Sequence, residues 1–174
     1  MSVLIEAAKK NDFPSTINLV MSNKEDAEGM NIAASHKIKT QYANKKEFES
    51  VAQHLLGDKK IELICLAGFM QIISKEFLQR WKDRIINIHP SYLPYFKGLN
   101  AQEQAIKAGA SYSGCTVHFV NEKIDDGEII LQKKMAINAN DNTESLSKKI
   151  LREEHIIYPK ALEIVAGKIL KTKN

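Results

Sequence analysis

The run "IELICLAGFMQIISKEFLQRWKDRIINIH", residues 61–89, decides the fold. It begins and ends in apolar, strand-like stretches, "IELICLAG" (61–68) and "IINIH" (85–89). Between them "SKEFLQRWKD" (74–83) carries apolar residues at helical spacing behind a serine suited to cap the first turn. Two nearly continuous apolar strands joined through an amphipathic helix form a βαβ crossover, which builds a parallel sheet buried on both faces. Towards the N-terminus "TINLVMSN" (16–23) reads as a strand, and "SVLIEAAKK" (2–10), "AEGMNIAASHK" (27–37) and "KEFESVAQHLLGD" (46–58) read as helices. Towards the C-terminus a short helix lies near "NAQEQAIKAG" (100–109). After it, "CTVHFVN" (115–121) and "EIILQKKMAI" (128–137) form two strands around a turn containing "DDG" (125–127), and a long helix runs from Thr143 to about Ala166. The expectation is an α/β fold with a mostly parallel sheet and an antiparallel C-terminal hairpin. One feature departs from the usual doubly wound plan, which opens with a strand and a glycine-rich turn. This chain opens inside a helix, so the first strand is expected to be missing.

Composition narrows the function classes. With 174 residues, 44% hydrophobic and 26% charged, the chain suits a single domain with a substantial core. Its 25 Lys and Arg exceed its 21 Asp and Glu by four, and they are scattered rather than gathered in a block. That balance suits anionic small molecules and gives no sign of nucleic-acid binding. The longest apolar runs, such as "LICLAGFM" (63–70), are too short to span a bilayer, and the N-terminus lacks the layout of a signal peptide. No membrane association and a cytoplasmic location are expected. Cys65 and Cys115 each lie inside an apolar strand-like run and read as buried, reduced thiols.

Ligands of open α/β sheets bind beyond the carboxyl ends of the strands. Those ends carry "GFM" (68–70), "NIHPS" (87–91) and, through the hairpin, His118 with Asp125. Strand alternation turns Asn87 and His89 to one face and Ile86 and Ile88 to the other, and Pro90 helps to end the strand. A histidine beside a carboxylate can act as a general acid or base, and a neighbouring Asn amide can donate to an oxyanion. The residues by themselves leave three readings open. His89 and His118 can be satisfied polar residues of a sheet with "DDG" an ordinary turn. His89, His118 and Asp125 can be two imidazoles and a carboxylate on a metal, although nothing in their spacing favours it. Or Asn87 and His89 can form the centre of metal-free acyl chemistry with Asp125 tuning the histidine. Cys115 is a poor partner for His118, because residues three apart in a strand face opposite ways.

The segments "LAGFM" (66–70), "NIHPSYLPYFKGLNAQEQAI" (87–106), "GCTVHFVNEKIDDGEIILQ" (114–132) and "EEHIIYP" (153–159) closely resemble the folate-dependent phosphoribosylglycinamide formyltransferases, the glycinamide ribonucleotide transformylases. The resemblance covers essentially the whole chain and implies a Rossmann-like formyltransferase fold. It implies transfer of a formyl group from 10-formyltetrahydrofolate, as co-substrate, to the amine of glycinamide ribonucleotide in purine biosynthesis, with no metal. His89 then matches the catalytic histidine and Asn87 the residue that polarises the formyl oxygen. Asp125 matches the aspartate that holds the histidine's pKa up, so that the imidazole works protonated. His118 becomes a supporting residue. Met70, Gln71, Ile72 and Ile73 match the segment lining the folate pocket, with Gln71 where many members carry Arg. Lys45 matches a position near the cofactor that is often Arg, and Glu154 a glutamate that accepts from the substrate's ribose hydroxyls. The implied partners are these small molecules, for a monomer or a homodimer.

Family members begin with a strand and a turn of the form Ser-Gly-x-Gly-Ser-Asn that cradles the substrate phosphate. Here Met1 falls just after that Asn, so it is expected to be an internal methionine, and the strands beside the missing one should lack a partner. The alternatives within the resemblance are a formyltetrahydrofolate deformylase and a catalytically impaired folate-binding remnant. Deformylases usually show His-His-Ser where this chain has "HPS", with a regulatory domain for which it has no room. Methionyl-transfer-RNA formyltransferases add a C-terminal domain.

Overall fold

The computed structural model describes residues 1–173, which divide into two compact units. The first comprises Met1–Leu63 and the described part of the chain from Glu163 onward; the second is Ile64–Leu162. A single domain was expected from length; the described residues form two compact units.

In the first unit α1 (Ser2–Ala8), β1 (Leu19–Ser22), α2 (Glu28–Ser35), β2 (Lys39–Tyr42) and α3 (Phe48–Asp58) follow in order. β1 and β2 pair in parallel, with Leu19 opposite Lys39 and Ser22 opposite Tyr42, and α2 is the crossover between them. Leu4, Ile5, Ala33, Ala52 and Leu56 are buried. The sequence reading missed β2. "KTQY" is four residues long and polar, too short to show an alternation, and its extended form depends on the ladder that β1 offers it.

The second unit contains β3 (Ile64–Leu66), α4 (Lys75–Arg80), β4 (Ile85–His89), α5 (Ala101–Lys107), β5 (Tyr112–Phe119) and β6 (Ile129–Ala136), and α6 (Thr143–Lys171) begins in it. Its sheet has the order β3-β4-β5-β6. β3 and β4 are parallel, as the crossover reading requires, and Ser74 caps α4 by accepting from the Phe77 N–H at 3.2 Å. β5 runs antiparallel to β4 as well as to β6, so the antiparallel part is larger than a terminal hairpin. The strand expected over 61–68 contracts to Ile64–Leu66, because only those residues find ladder partners, at Ile85–Asn87. Among the described residues β1 pairs with β2 alone and β3 with β4 alone, so each keeps one open ladder edge.

Ile85, Ile86, Cys115 and Val117 form the buried strand layer, and Leu146, Ile150 and Ala161 are buried on α6. The start of α6 is a reciprocal capping box: Asn142 Oδ1 accepts from the Ser145 N–H at 2.9 Å and Ser145 Oγ accepts from the Asn142 N–H at 3.0 Å. Two turns further along than the buried Ile150, the Tyr158 hydroxyl donates to the Leu66 carbonyl at 2.7 Å and lies 3.3 Å from the Ile86 carbonyl. It thereby ties the helix to β3 and β4. Among the described residues no helix is long and apolar enough to cross a membrane.

Candidate active site

Register assembles the site. β4 ends in Asn87, Ile88 and His89, and β5 sets His118 directly opposite Asn87 and Thr116 directly opposite His89. Leu66, the last residue of β3, is the partner of Asn87 on the other side. The chain leaving β3 through Gly68, at φ +64°, therefore departs beside the carboxyl end of β4. That departing segment carries Met70, Gln71, Ile72 and Ile73 in irregular conformation, with Met70 79% and Ile72 80% exposed. Two large apolar side chains bared at a sheet's carboxyl end make a surface for an apolar ligand.

Asp125 reaches the same point from the β5–β6 connection. A bulge at Val117 and His118 interrupts the β5–β6 ladder, and Asp125 then takes a left-handed conformation at φ +49°. Its Oδ2 lies 3.2 Å from His89 Nδ1 and accepts the Gly98 N–H at 2.8 Å, while its Oδ1 lies 3.6 Å from His118 Nε2. His89 Nε2 faces the Phe96 carbonyl at 2.9 Å. His118 Nδ1 donates to the Phe119 carbonyl at 2.8 Å, and its Nε2 lies 3.4 Å from the Asn87 amide nitrogen. That amide carries a second hydrogen, as an oxyanion donor needs.

The electrostatics follow from burial. His89 is 5% exposed, and desolvation pulls its pKa below the ordinary imidazole value, against the Phe96 carbonyl and the Asp125 carboxylate, which both raise it. Asp125 thus acts on His89 in the expected direction, but burial is the larger effect. Both ring nitrogens of His89 face acceptors, the Asp125 carboxylate and the Phe96 carbonyl, an arrangement that favours the imidazolium, and burial works against it. Burial raises the Asp125 carboxyl in turn, but His118, the Gly98 N–H and His89 together outweigh it and leave Asp125 ionised below the ordinary carboxylate range. Burial also pushes Glu154, on α6, up to about 7. Glu154 stands one turn before Tyr158, at i and i+4 on the helix face tied to β3 and β4. Burial holds both free thiols near 12, so neither Cys65 nor Cys115 is a ready nucleophile.

Asn87, His89, His118 and Asp125 are therefore brought together, and the segment 70–73 leaves the sheet beside them. Lys45 is exposed in the turn between β2 and α3 of the first unit. Each carboxylate oxygen of Asp125 faces a different imidazole, and among the described residues no group of three or more His, Cys, Asp or Glu side chains is disposed to hold a metal ion.

The sequence reading missed the groups that hold this cluster: the Phe96 carbonyl, the Gly98 N–H and Gly127. Backbone groups leave no side-chain signature, although the Lys-Gly pair at 97–98 marks a turn, and Gly98 indeed has φ +77°. Lys97 pairs with Asp126, linking the loop after β4 to the loop that carries Asp125. Gly127 is required by closeness rather than by φ. A Cβ there would collide with the Phe119 carbonyl and lie 3.5 Å from His118 Nδ1. Gly127→Ala is expected to cost about 1–3 kcal/mol of stability by overpacking, read as a lower denaturation midpoint. By displacing Asp125 it should also lower the His89 pKa further, read by NMR titration.

The chain is similar to known proteins over most of its length. The formyl transferase family pattern matches residues 1–162, across both units. The phosphoribosylglycinamide formyltransferase of Haemophilus influenzae is 38% identical over 165 residues, covering 91% of this chain and 78% of that protein. The trifunctional purine biosynthetic protein adenosine-3 of Gallus gallus is 42% identical over 173 residues, 96% of this chain, which spans only 17% of that longer protein. The crystal structure of phosphoribosylglycinamide formyltransferase from Anaplasma phagocytophilum superposes with a TM-score of 0.90 at 41% identity, covering 96% of this chain and 81% of that one. The carboxylate-backed histidine beside an amide donor at the end of β4 thus lies in a chain that belongs to the formyl transferase family, among its phosphoribosylglycinamide formyltransferases.

Proposed function

We propose that the protein transfers a formyl group from 10-formyltetrahydrofolate to the amine of glycinamide ribonucleotide, a step of purine biosynthesis. The observation that carries the reading is the grouping of Asn87, His89, His118 and Asp125 within hydrogen-bond and ion-pair reach at one strand end. The amine attacks the formyl carbon, a C–N bond forms, and the carbonyl electron pair moves to the formyl oxygen, where the Asn87 amide donates to the developing charge. The amine nitrogen must then lose a proton and the leaving N10 must gain one. Neutral His89 accepts the first and delivers the second, directly or through a water, and the C–N10 bond breaks.

Asp125 on Nδ1 leaves Nε2, which lies against the Phe96 carbonyl, as the nitrogen that exchanges protons. As the ring charges during transfer, the ionised carboxylate stabilises the imidazolium that burial disfavours. His118 orients the Asn87 amide. In this reading Met70, Gln71, Ile72 and Ile73 line the pocket of the folate pteridine, and Glu154 accepts from the ribose hydroxyls. The enzyme works in the cytoplasm on small molecules, as a monomer or homodimer, and both compact units belong to one formyltransferase domain.

The test is a formyl-transfer assay with glycinamide ribonucleotide beside a folate-binding titration. Formylated product at a rate that depends on both substrates is the expected result. Formate release that ignores the amine would point to a deformylase, and folate binding without turnover to a binding remnant.

A further inference from the structure

We infer that Gln132 is a positioning residue for His89, acting through the root of the loop that follows β4; the inference rests on the functional reading above for its effect on turnover. The registers of three strands align His89, Thr116 and Gln132 in one row across β4, β5 and β6. The outer two members of this row do different work. His89 ends its strand and carries the chemistry, while Gln132 reaches back over Thr116 to the loop. Gln132 Nε2 donates to the Leu93 carbonyl at 2.9 Å and to Thr116 Oγ1 at 3.0 Å. Thr116 Oγ1, fully buried, donates to the Ser91 carbonyl at 2.8 Å and accepts the Leu93 N–H at 3.1 Å.

Both peptide groups of Leu93 and the carbonyl of Ser91 are thereby fixed to the sheet. Ser91 Oγ carries the constraint one step on, donating to the Tyr95 carbonyl at 2.6 Å. The next carbonyl along, that of Phe96, is the one that faces His89 Nε2. Phe96 is itself held at φ +56°, a conformation an unconstrained phenylalanine rarely keeps. The charged and titratable groups facing the His89 ring are Asp125 from the β5–β6 loop and His118 from β5. Neither depends on Gln132 for its place, so a change at Gln132 reaches His89 through the loop carbonyl.

The experiment uses the 174-residue chain with Gln132→Met, which keeps the length of the side chain and removes both donors, and Thr116→Val, which keeps shape and removes the hydroxyl. Thr116→Ser restores that hydroxyl. His89 titration is followed by NMR without substrate, and kcat and KM are measured alongside. With the Phe96 carbonyl loosened, one of the two groups that raise the His89 pKa is lost. Gln132→Met and Thr116→Val should both lower that pKa by about half a unit or more and reduce kcat at least about tenfold, with both KM values changed less than kcat. Thr116→Ser should behave as the parent protein. A lowered melting temperature with an unchanged His89 titration and unchanged kcat would overturn the inference and leave Gln132 a purely structural residue. Because the titration is read without substrate, variants that shift as expected in a protein whose parent form transfers no formyl group would sink the functional reading and spare this one.

Discussion

His89→Ala is expected to cut formyl-transfer turnover at least about a hundredfold, the usual scale of a positioned general acid–base group. The argument is one of irreplaceability. His89 is the imidazole whose two nitrogens face the Asp125 carboxylate and the Phe96 carbonyl, at the end of the strand that also presents Asn87. His118 cannot substitute, because its Nδ1 is committed to the Phe119 carbonyl and its Nε2 faces Asn87 and Asp125. The fold should survive, since Asp125 keeps the Gly98 N–H and His118 as partners. Steady-state kinetics together with a melting curve make the test, and near-normal turnover in a folded variant would remove His89 from the reaction.

Asp125→Asn is expected to lower turnover by a similar factor and to move the pH profile in a defined direction. In the proposed mechanism neutral His89 is the working base, so kcat/KM is expected to fall as pH drops through the pKa of His89 in the free protein. Burial sets that pKa below the ordinary imidazole value of about 6.5. Removing the carboxylate removes a group that raises it, and the acid limb should therefore shift to still lower pH. A profile that instead rises on acidification through this range would make the imidazolium the working form and reverse the assignment.

The same shifts bear on stability. His89 and Asp125 both have depressed pKa values in the folded protein, so each contributes stability that is present above its unfolded value and lost as pH falls. For His89 the loss begins below about pH 6.5, and for Asp125 below about pH 4.

Much of this site was legible in particular residues. The alternation in "IINIH" is enough to pair Asn87 with His89, and the cap at Ser74 and the apolar runs on either side of α4 are enough to announce the parallel β3–β4 crossover. Asp125 and His118 stood out at the strand ends as well, and the family resemblance then assigned their roles. β2 was not legible, because "KTQY" has no pattern of its own and is a strand only beside β1.

What the sequence by itself determined, then, is local: which stretches are apolar enough to be strands, where α4 starts, and which chemistry-bearing side chains share a face of β4. These depend on covalent order and on periods of two and 3.6 residues. The tertiary structure decided the rest. Burial pulls the His89 pKa down against the Asp125 carboxylate and the Phe96 carbonyl, and desolvation is a property of everything packed around a group rather than of its neighbours in the chain. The Phe96 carbonyl, the Gly98 N–H and the Gln132 amide reach the site across loops and strands that only folding brings together. Every residue has the same backbone groups, so no sequence pattern distinguishes the few that end up facing a catalytic side chain.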